Sequence, residues 1–338
     1  MKNHLRSLRI WLGKILLDTQ YTIHNTQIRK ILFLRQDGKI GDYIVSSFVF
    51  RELKKYNPSI HIGVVCDKKQ SYLFEQNTYI DQCYPVKKKN ILDYIKFGYK
   101  LRQEKYDVVI DPTVFLRNRD LLLLRLINAT NYIGYRKSNY RIFNINLEDE
   151  CHFSELYKQA LDKIGITITD TQYDIPENQK ANSEINDFLA QHKLKDYIAI
   201  NFFGASSSRK INDVNIIKYL EYLQKIVPNK SIVLLSYPDV RKKLQNIAQN
   251  FQQFFLFDTK NIFHTIELIR YADLLISPDT STIHIASGLN KKIIALYGNG
   301  VENFTHWKPM SKAETHILFY DKNINEVNPE QIKPEWLS

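Results

Sequence analysis

RKILFLRQDGKIGDYIVSSFVFRELKKYNPSIHIGVVCD, residues 29–67, is the stretch whose reading decides the fold. A short apolar run, Ile31 to Leu34, leads into a turn carrying Gly38 and Gly41. Ile44, Val45, Phe48 and Leu53 then recur at helical spacing, and a second apolar run covers Ile60 to Val65. Strand, loop, helix and strand in that order need a crossover, so the two strands lie parallel in one sheet. Downstream, CYPV (83–86), DVVID (107–111) and NYIGY (131–135) read as further strands, with helices expected around 91–103 and 118–128. The periodic pattern breaks between about 165 and 190, which marks a linker.

A second series follows, with buried strands expected at YIAINFF (197–203), SIVLLSY (231–237), FFLFD (254–258), DLLISPD (273–279) and KIIALYG (292–298). Each half is therefore an α/β, doubly wound, Rossmann-like sheet, in which ligands bind beyond the C-terminal ends of the strands. Two such domains face to face would enclose an interdomain cleft. The expected boundaries are a basic amphipathic helix in 1–25, an N-terminal domain in 26–175, a C-terminal domain in 185–315 and a tail in 316–338.

The composition agrees with two globular cores: 338 residues, 44% apolar and 25% charged, with too little Gly and Pro for a fibrous or low-complexity chain. The formal charge is +11, and residues 1–170 hold 28 Lys/Arg against 18 Asp/Glu, a net of +10. An anionic partner for the first half is one reading and a solvated basic surface the other. Scattered aromatics and the lack of a helix-turn-helix, zinc or RNP pattern argue against nucleic acid. The three cysteines, Cys66, Cys83 and Cys151, form no C-x-x-C pair, so neither a metal site nor a disulfide framework is expected. No apolar run approaches the roughly 20 residues of a membrane span, and Lys14 interrupts the stretch that would make a signal peptide. A cytoplasmic protein is expected. In the first segment Leu5, Leu8, Leu12, Ile15 and Leu16 recur at helical spacing among Lys2, Arg6, Arg9 and Lys14. That is the pattern of a basic helix at a membrane interface, or equally of a helix packed on its own domain.

Three loops carry candidate chemistry. DGKIGD (37–42) joins the first strand to its helix, and Asp42 there is either a helix cap or a general base at a strand tip. SPDTSTIHIASGLNKKIIALYG (277–298) places Asp279, Thr280, Ser281 and Thr282 at a helix start, with Ser281 and His284 one turn apart; this reads as a phosphate cradle or as ordinary capping. NFFGASSSRKINDVN (201–215) ends a strand in a Gly/Ser loop followed by Arg209 and Lys210, cations suited to phosphate.

Together these segments resemble the family 9 glycosyltransferases, the lipopolysaccharide heptosyltransferases, from about Lys30 to the C-terminus. The opening strand with R-x-D-x-x-G-D, the segments YDVVID and NYIGY, GAS followed by cations, and SPDTSTIHIASG, similar to the family's D-[ST]-G-x-x-H-x-A signature, carry the resemblance. It implies GT-B architecture and inverting, metal-independent transfer of a heptose from ADP-heptose to an acidic inner-core sugar of lipopolysaccharide or lipooligosaccharide. No cofactor is implied beyond the nucleotide-sugar substrate, and no metal. By the same resemblance Asp42 is the catalytic base. Arg209, Lys210, Asp279, Thr280, Ser281 and His284 bind the donor. Lys39, Arg117 and Arg119 are expected to meet an anionic glycolipid acceptor, with Arg136, Lys137 and Arg141 as further candidates. A peripheral contact with the inner membrane is one of the two readings of the basic N-terminal helix. Ser281 stands where the family has glycine and Arg209 where it has lysine, which leaves room for another nucleotide sugar. A sugar-nucleotide epimerase is the rival of another reaction class.

Overall fold

The computed structural model describes residues 2–22, 27–87 and 90–337, and for residues 2–9 the backbone alone. The chain divides into two compact units, Met1–Thr171 and Gln172–Ser338.

The first unit opens with helix α1 (Lys2–Leu17), then β1 (Lys30–Arg35), α2 (Ile40–Tyr56), β2 (His61–Asp67), a short α3 (Ser71–Glu75), β3 (Gln82–Val86), α4 (Ile91–Glu104), β4 (Val108–Asp111), α5 (Asn118–Ile127), β5 (Asn131–Tyr135), β6 (Ile145–Leu147) and α6 (Phe153–Asp162). The six strands form one sheet in the order β3-β2-β1-β4-β5-β6, and every pairing is parallel. Helices cover both faces, so the central strands are buried from end to end and read as apolar runs rather than alternations. Asn90 caps α4, its side chain accepting from the Leu92 and Asp93 amides.

The second unit contains α7 (Gln179–Gln191), β7 (Ile198–Ile200), α8 (Asp213–Ile226), β8 (Ile232–Leu234), α9 (Pro238–Ala248), β9 (Phe254–Leu256), α10 (Ile262–Arg270), β10 (Leu274–Pro278), α11 (Ser281–Gly288), β11 (Lys292–Gly298), α12 (Val301–Trp307) and β12 (Thr315–Tyr320). Its sheet runs β12-β11-β10-β7-β8-β9, also all parallel. Counted from each unit's own first strand, the two orders are identical. In both, the strand order reverses beside the first strand, between β1 and β4 and between β7 and β10. Ligands of open α/β sheets bind at such a reversal.

Three expectations are corrected. Residues 179–191, inside the expected linker, are helix α7. A parallel strand β6 extends the first sheet where none was expected, its three residues being too short to show a pattern. Residues 316–338 are no tail: β12 is the edge strand of the second sheet, and Ile324, Val327, Ile332 and Leu337 of the turns that follow are buried in its core. An edge strand is covered on fewer sides, and β12 is mostly half-buried, so its apolar signal is weak.

Helix α1 is docked on the first unit. Gly13 fits so closely against Asn118 of α5 that a Cβ there would lie 2.2 Å from that side chain. Arg125 donates to the Leu17 carbonyl at 3.4 Å, and Lys14 lies 5.1 Å from the Tyr140 ring centroid. Trp11, Leu12, Ile15 and Leu16 stay exposed, Leu16 at 72%. The side chains of Lys2, Leu5, Arg6, Leu8 and Arg9 lie outside the described residues.

Candidate active site

In the first unit the loop after β1 turns sharply through Gly38, whose φ of 68° is left-handed and favours glycine. Helix α2 then begins at Ile40 with Lys39 at its cap, which places Asp42 at the third helical position rather than at the cap. Burial and the neighbouring Asp37 carboxylate push the Asp42 carboxyl up to about 6, against the opposing pull of Lys39 and Arg35. A carboxyl in that range changes protonation close to neutral pH, as a general base must.

Beside this loop, beyond the tips of β1 and β4, lies a cavity of about 270 Å³. The three cations Lys39, Arg117 and Arg119 all line it, from the β1 loop and the start of α5. Arg119 is held in place: its Nε donates to the Tyr94 hydroxyl at 3.1 Å, which also accepts from Gln36 Nε2 at 3.0 Å. Arg117 caps α5 and rests 5.8 Å from the Phe115 ring centroid, exposed on the rim. Asp111, Asp120 and Asp37 also face the cavity, so its lining is mixed in sign. Asp111 is engaged by buried Lys137 at 3.7 Å, while burial raises the proton affinity of Asp120 above its ordinary value despite Arg119 and Arg117. The other three cations considered for this surface are not in the lining and have partners within the protein. Lys137 is 1% exposed and also donates to the Thr113 and Tyr135 carbonyls, Arg136 pairs with Glu150 at 2.7 Å, and Arg141 binds Asp18.

In the second unit Asn201, just past β7, binds the strands at the order reversal. Its Nδ2 lies 3.2 Å from Ser277 Oγ of β10 and 3.3 Å from Thr282 Oγ1 of α11, and those two hydroxyls are 2.7 Å apart. This network fixes where α11 begins. Thr280 is the cap residue of α11 and makes no side-chain cap bond, and Ser281 is half-buried beside it. Thr282 is committed to the network. His284 is 4% exposed one turn further, its ring centroid 5.7 Å from that of Trp307.

The loop after β7 doubles back, with Phe203 and Lys210 bridged antiparallel and the Gly204 amide donating to the Arg209 carbonyl at 2.8 Å. Gly204 is required there because a Cβ would come 2.5 Å from the Arg209 Cβ and 2.8 Å from its carbonyl oxygen. Arg209 Nη1 meets Asp279 Oδ2 at 2.9 Å and the Asp279 carbonyl at 3.2 Å. Asn303 of α12 donates to the same carboxylate at 2.9 Å. Arg209 and Asp279 are thus brought into one ion pair, with Asp279 buried and Arg209 one-third exposed. Lys210 is exposed outside the pair. Asn303 and Tyr94 have no motif around them, Asn201 and Gln36 lie inside segments read for other residues, and only the fold assembles the four. Gly204→Ala is expected to displace Arg209 from Asp279 and to lower the melting temperature, read by thermal unfolding.

Two parallel sheets of one order, each with polar and charged side chains at the strand tips of its reversal, define an α/β enzyme of GT-B architecture built from two Rossmann-like domains. The model of glycosyltransferase family 9 (heptosyltransferase) matches residues 94–336, and the chain belongs to that family and is a glycosyltransferase. It is 23% identical over 305 residues to lipopolysaccharide heptosyltransferase 1 of Campylobacter coli, covering 80% of this chain and 84% of that protein. The glycosyl transferase family 9 structure from Veillonella parvula superposes with a TM-score of 0.71 at 19% identity, over 91% of this chain and 97% of that one. The structure of E. coli ADP-heptose lipopolysaccharide heptosyltransferase II gives 0.69 at 17% identity with the same coverage.

Proposed function

We propose that this protein transfers a heptose from ADP-heptose to an acidic inner-core sugar of lipopolysaccharide or lipooligosaccharide, with inversion at the anomeric carbon. The observation that carries the reading is a carboxyl pushed up to about 6 in the first turn of α2, next to the loop whose Asp37 and Lys39 line a cavity that Arg117 and Arg119 also face. Asp42 takes the proton of the acceptor hydroxyl as its oxygen attacks the anomeric carbon, and the bond from that carbon to the ADP oxygen breaks. Arg119, pre-oriented by Tyr94, and Arg117 and Lys39 at the rim hold the acceptor's carboxylate or phosphate, for which a guanidinium fork is suited. On the donor side the guanidinium of Arg209, steadied by Asp279, and the start of α11 with Thr280 and Ser281 receive the diphosphate. His284, buried in α11 with its ring beside that of Trp307, completes the donor-binding set, and Lys210 adds charge from the rim.

Arg119→Ala should raise the acceptor KM by about tenfold to a hundredfold, the worth of a hydrogen bond to a charged group, and leave the donor KM unchanged. A raised donor KM with normal acceptor kinetics would move Arg119 out of the acceptor site. Protein cations neutralise the departing ADP in this scheme, so transfer should persist in EDTA, and a strict requirement for added Mg²⁺ would contradict it.

No helix among the described residues is long and apolar enough to cross a membrane. We place the protein in the cytoplasm, with α1 resting on the inner face of the inner membrane. The helix keeps its docked face on α5 and turns Trp11, Leu12, Ile15 and Leu16 outward. Its sequence holds Lys2, Arg6, Arg9 and Lys14 and no acidic residue, a pattern for anionic lipid. The protein should sediment with phosphatidylglycerol vesicles at low salt and not with phosphatidylcholine, and Trp11→Ser with Leu16→Ser should abolish this. Equal recovery of wild type and variant on anionic vesicles would refute the contact.

A further inference from the structure

Arg35 ends β1 with only 1% of its surface exposed, an uncommon place for a guanidinium. Its Nε donates to Asp37 Oδ2 at 3.0 Å, its Nη1 donates to Ser46 Oγ, and its Cζ lies 5.7 Å from the Tyr157 ring centroid of α6. Ser46 Oγ is in turn 2.9 Å from the Asp42 carbonyl and 3.0 Å from that of Tyr43. One buried cation therefore ties together the end of β1, the loop and the first turn of α2. Stability alone does not explain it, because well-packed apolar residues commonly replace buried ion pairs without loss.

The groups facing Asp42 are Arg35 from β1, Asp37 and Lys39 from the loop, and Tyr157 from α6. Burial holds the Tyr157 hydroxyl well above its ordinary value, so it is neutral. Burial works against the charge of Arg35, but the Asp37 and Asp42 carboxylates sustain it. Asp37 accepts from the Lys39 amide at 3.3 Å as well as from Arg35, so the same carboxylate shapes the loop and balances the cation.

We propose that Arg35 and Asp37 are positioning residues for Asp42: Arg35 fixes the first turn of α2 through Ser46, and Asp37 offsets the Arg35 charge that Asp42 would otherwise feel. The inference rests on Asp42 being the base. Arg35 meets neither donor nor acceptor in this scheme, and Asp37, which also faces the acceptor cavity, acts on Asp42 through Arg35.

The test is the pH dependence of kcat in three variants. Asp37→Asn keeps an oxygen for the Arg35 N–H and removes the negative charge. Its acid limb should move below the wild-type midpoint by about half a unit or more, with the donor KM unchanged. Arg35→Lys keeps the charge and loses the two-armed grip; kcat should fall about tenfold at saturating substrates, with the midpoint less affected than in Asp37→Asn. If Arg35→Lys does not fold, as thermal unfolding will tell, the isosteric Asp37→Asn decides alone. A wild-type midpoint in Asp37→Asn overturns the proposal. Asp42→Asn separates the two layers: a fully active Asp42→Asn removes the base itself, whereas an inactive one beside an unshifted Asp37→Asn removes only the positioning role.

Discussion

Asp42→Asn is expected to lower the transfer rate by about 10²- to 10⁴-fold, the usual contribution of a positioned acid or base, while ADP binds as to the wild type. Asparagine occupies the same volume at the third position of α2, so the loop and helix start stay in place, but it cannot accept the acceptor's proton. In the wild type the rate should climb with pH through about 6, where the half-buried carboxyl loses its proton, and then level off. The stability sign runs the other way. The folded protein holds this proton up to about 6 and the unfolded chain only to its ordinary value of 3.8, so stability attributable to Asp42 is lost as pH rises across that window. Asp42→Asn should accordingly melt higher than the wild type at pH 8 and show no such advantage below pH 4. An inactive variant that is also more stable above pH 6 is the signature of a carboxylate held charged for chemistry; an inactive variant that is less stable at every pH would point to a structural defect.

Arg209 carries the second large effect. Its Nη1 is engaged by the Asp279 carboxylate and carbonyl and its guanidinium also bonds the Tyr320 side chain, so a ligand would meet the remaining N–H groups of the five. Arg209→Ala should weaken ADP binding by about tenfold to a hundredfold, the range of a charge-assisted hydrogen bond. It also leaves the buried Asp279 carboxylate with Asn303 but without its cation, which adds a cost of its own. The double variant Arg209→Ala with Asp279→Asn removes that second effect. If donor affinity stays low in the double variant while the melting temperature recovers, the loss belongs to the diphosphate contact. If affinity recovers along with stability, Arg209 serves the fold, and Lys210, exposed on the same loop, becomes the candidate for the phosphate.

The strands of both sheets were legible wherever burial on two faces makes a continuous apolar run, as in Ile31–Leu34 and Leu274–Ile276. They were illegible at the margins, in the three residues of β6 and the half-exposed edge strand β12, where packing on fewer sides leaves no distinct pattern. Candidate residues on Gly-containing loops were visible because backbone turn and charge coincide in sequence, as in DGKIGD. Arg35 stood in the R-x-D-x-x-G-D motif with no role read for it, because an arginine at the end of an apolar run looks like the strand's exposed terminus, and only the packing of α6 and α2 buries it. The acidic partners of the basic residues were equally hidden. Lys137 and Arg209 read as free cations until the parallel strand order sets Asp111 and Asp279 beside them.

Product analysis tests the central claim most directly. Purified protein is given a panel of nucleotide sugars, ADP-heptose among them, with a Kdo-bearing lipid A acceptor, and products are read by mass spectrometry. The account predicts a gain of one heptose on the acceptor from ADP-heptose, release of ADP, and no such product from Asp42→Asn. Transfer from a different nucleotide sugar, or interconversion of the nucleotide sugar with no gain on any acceptor, would contradict it.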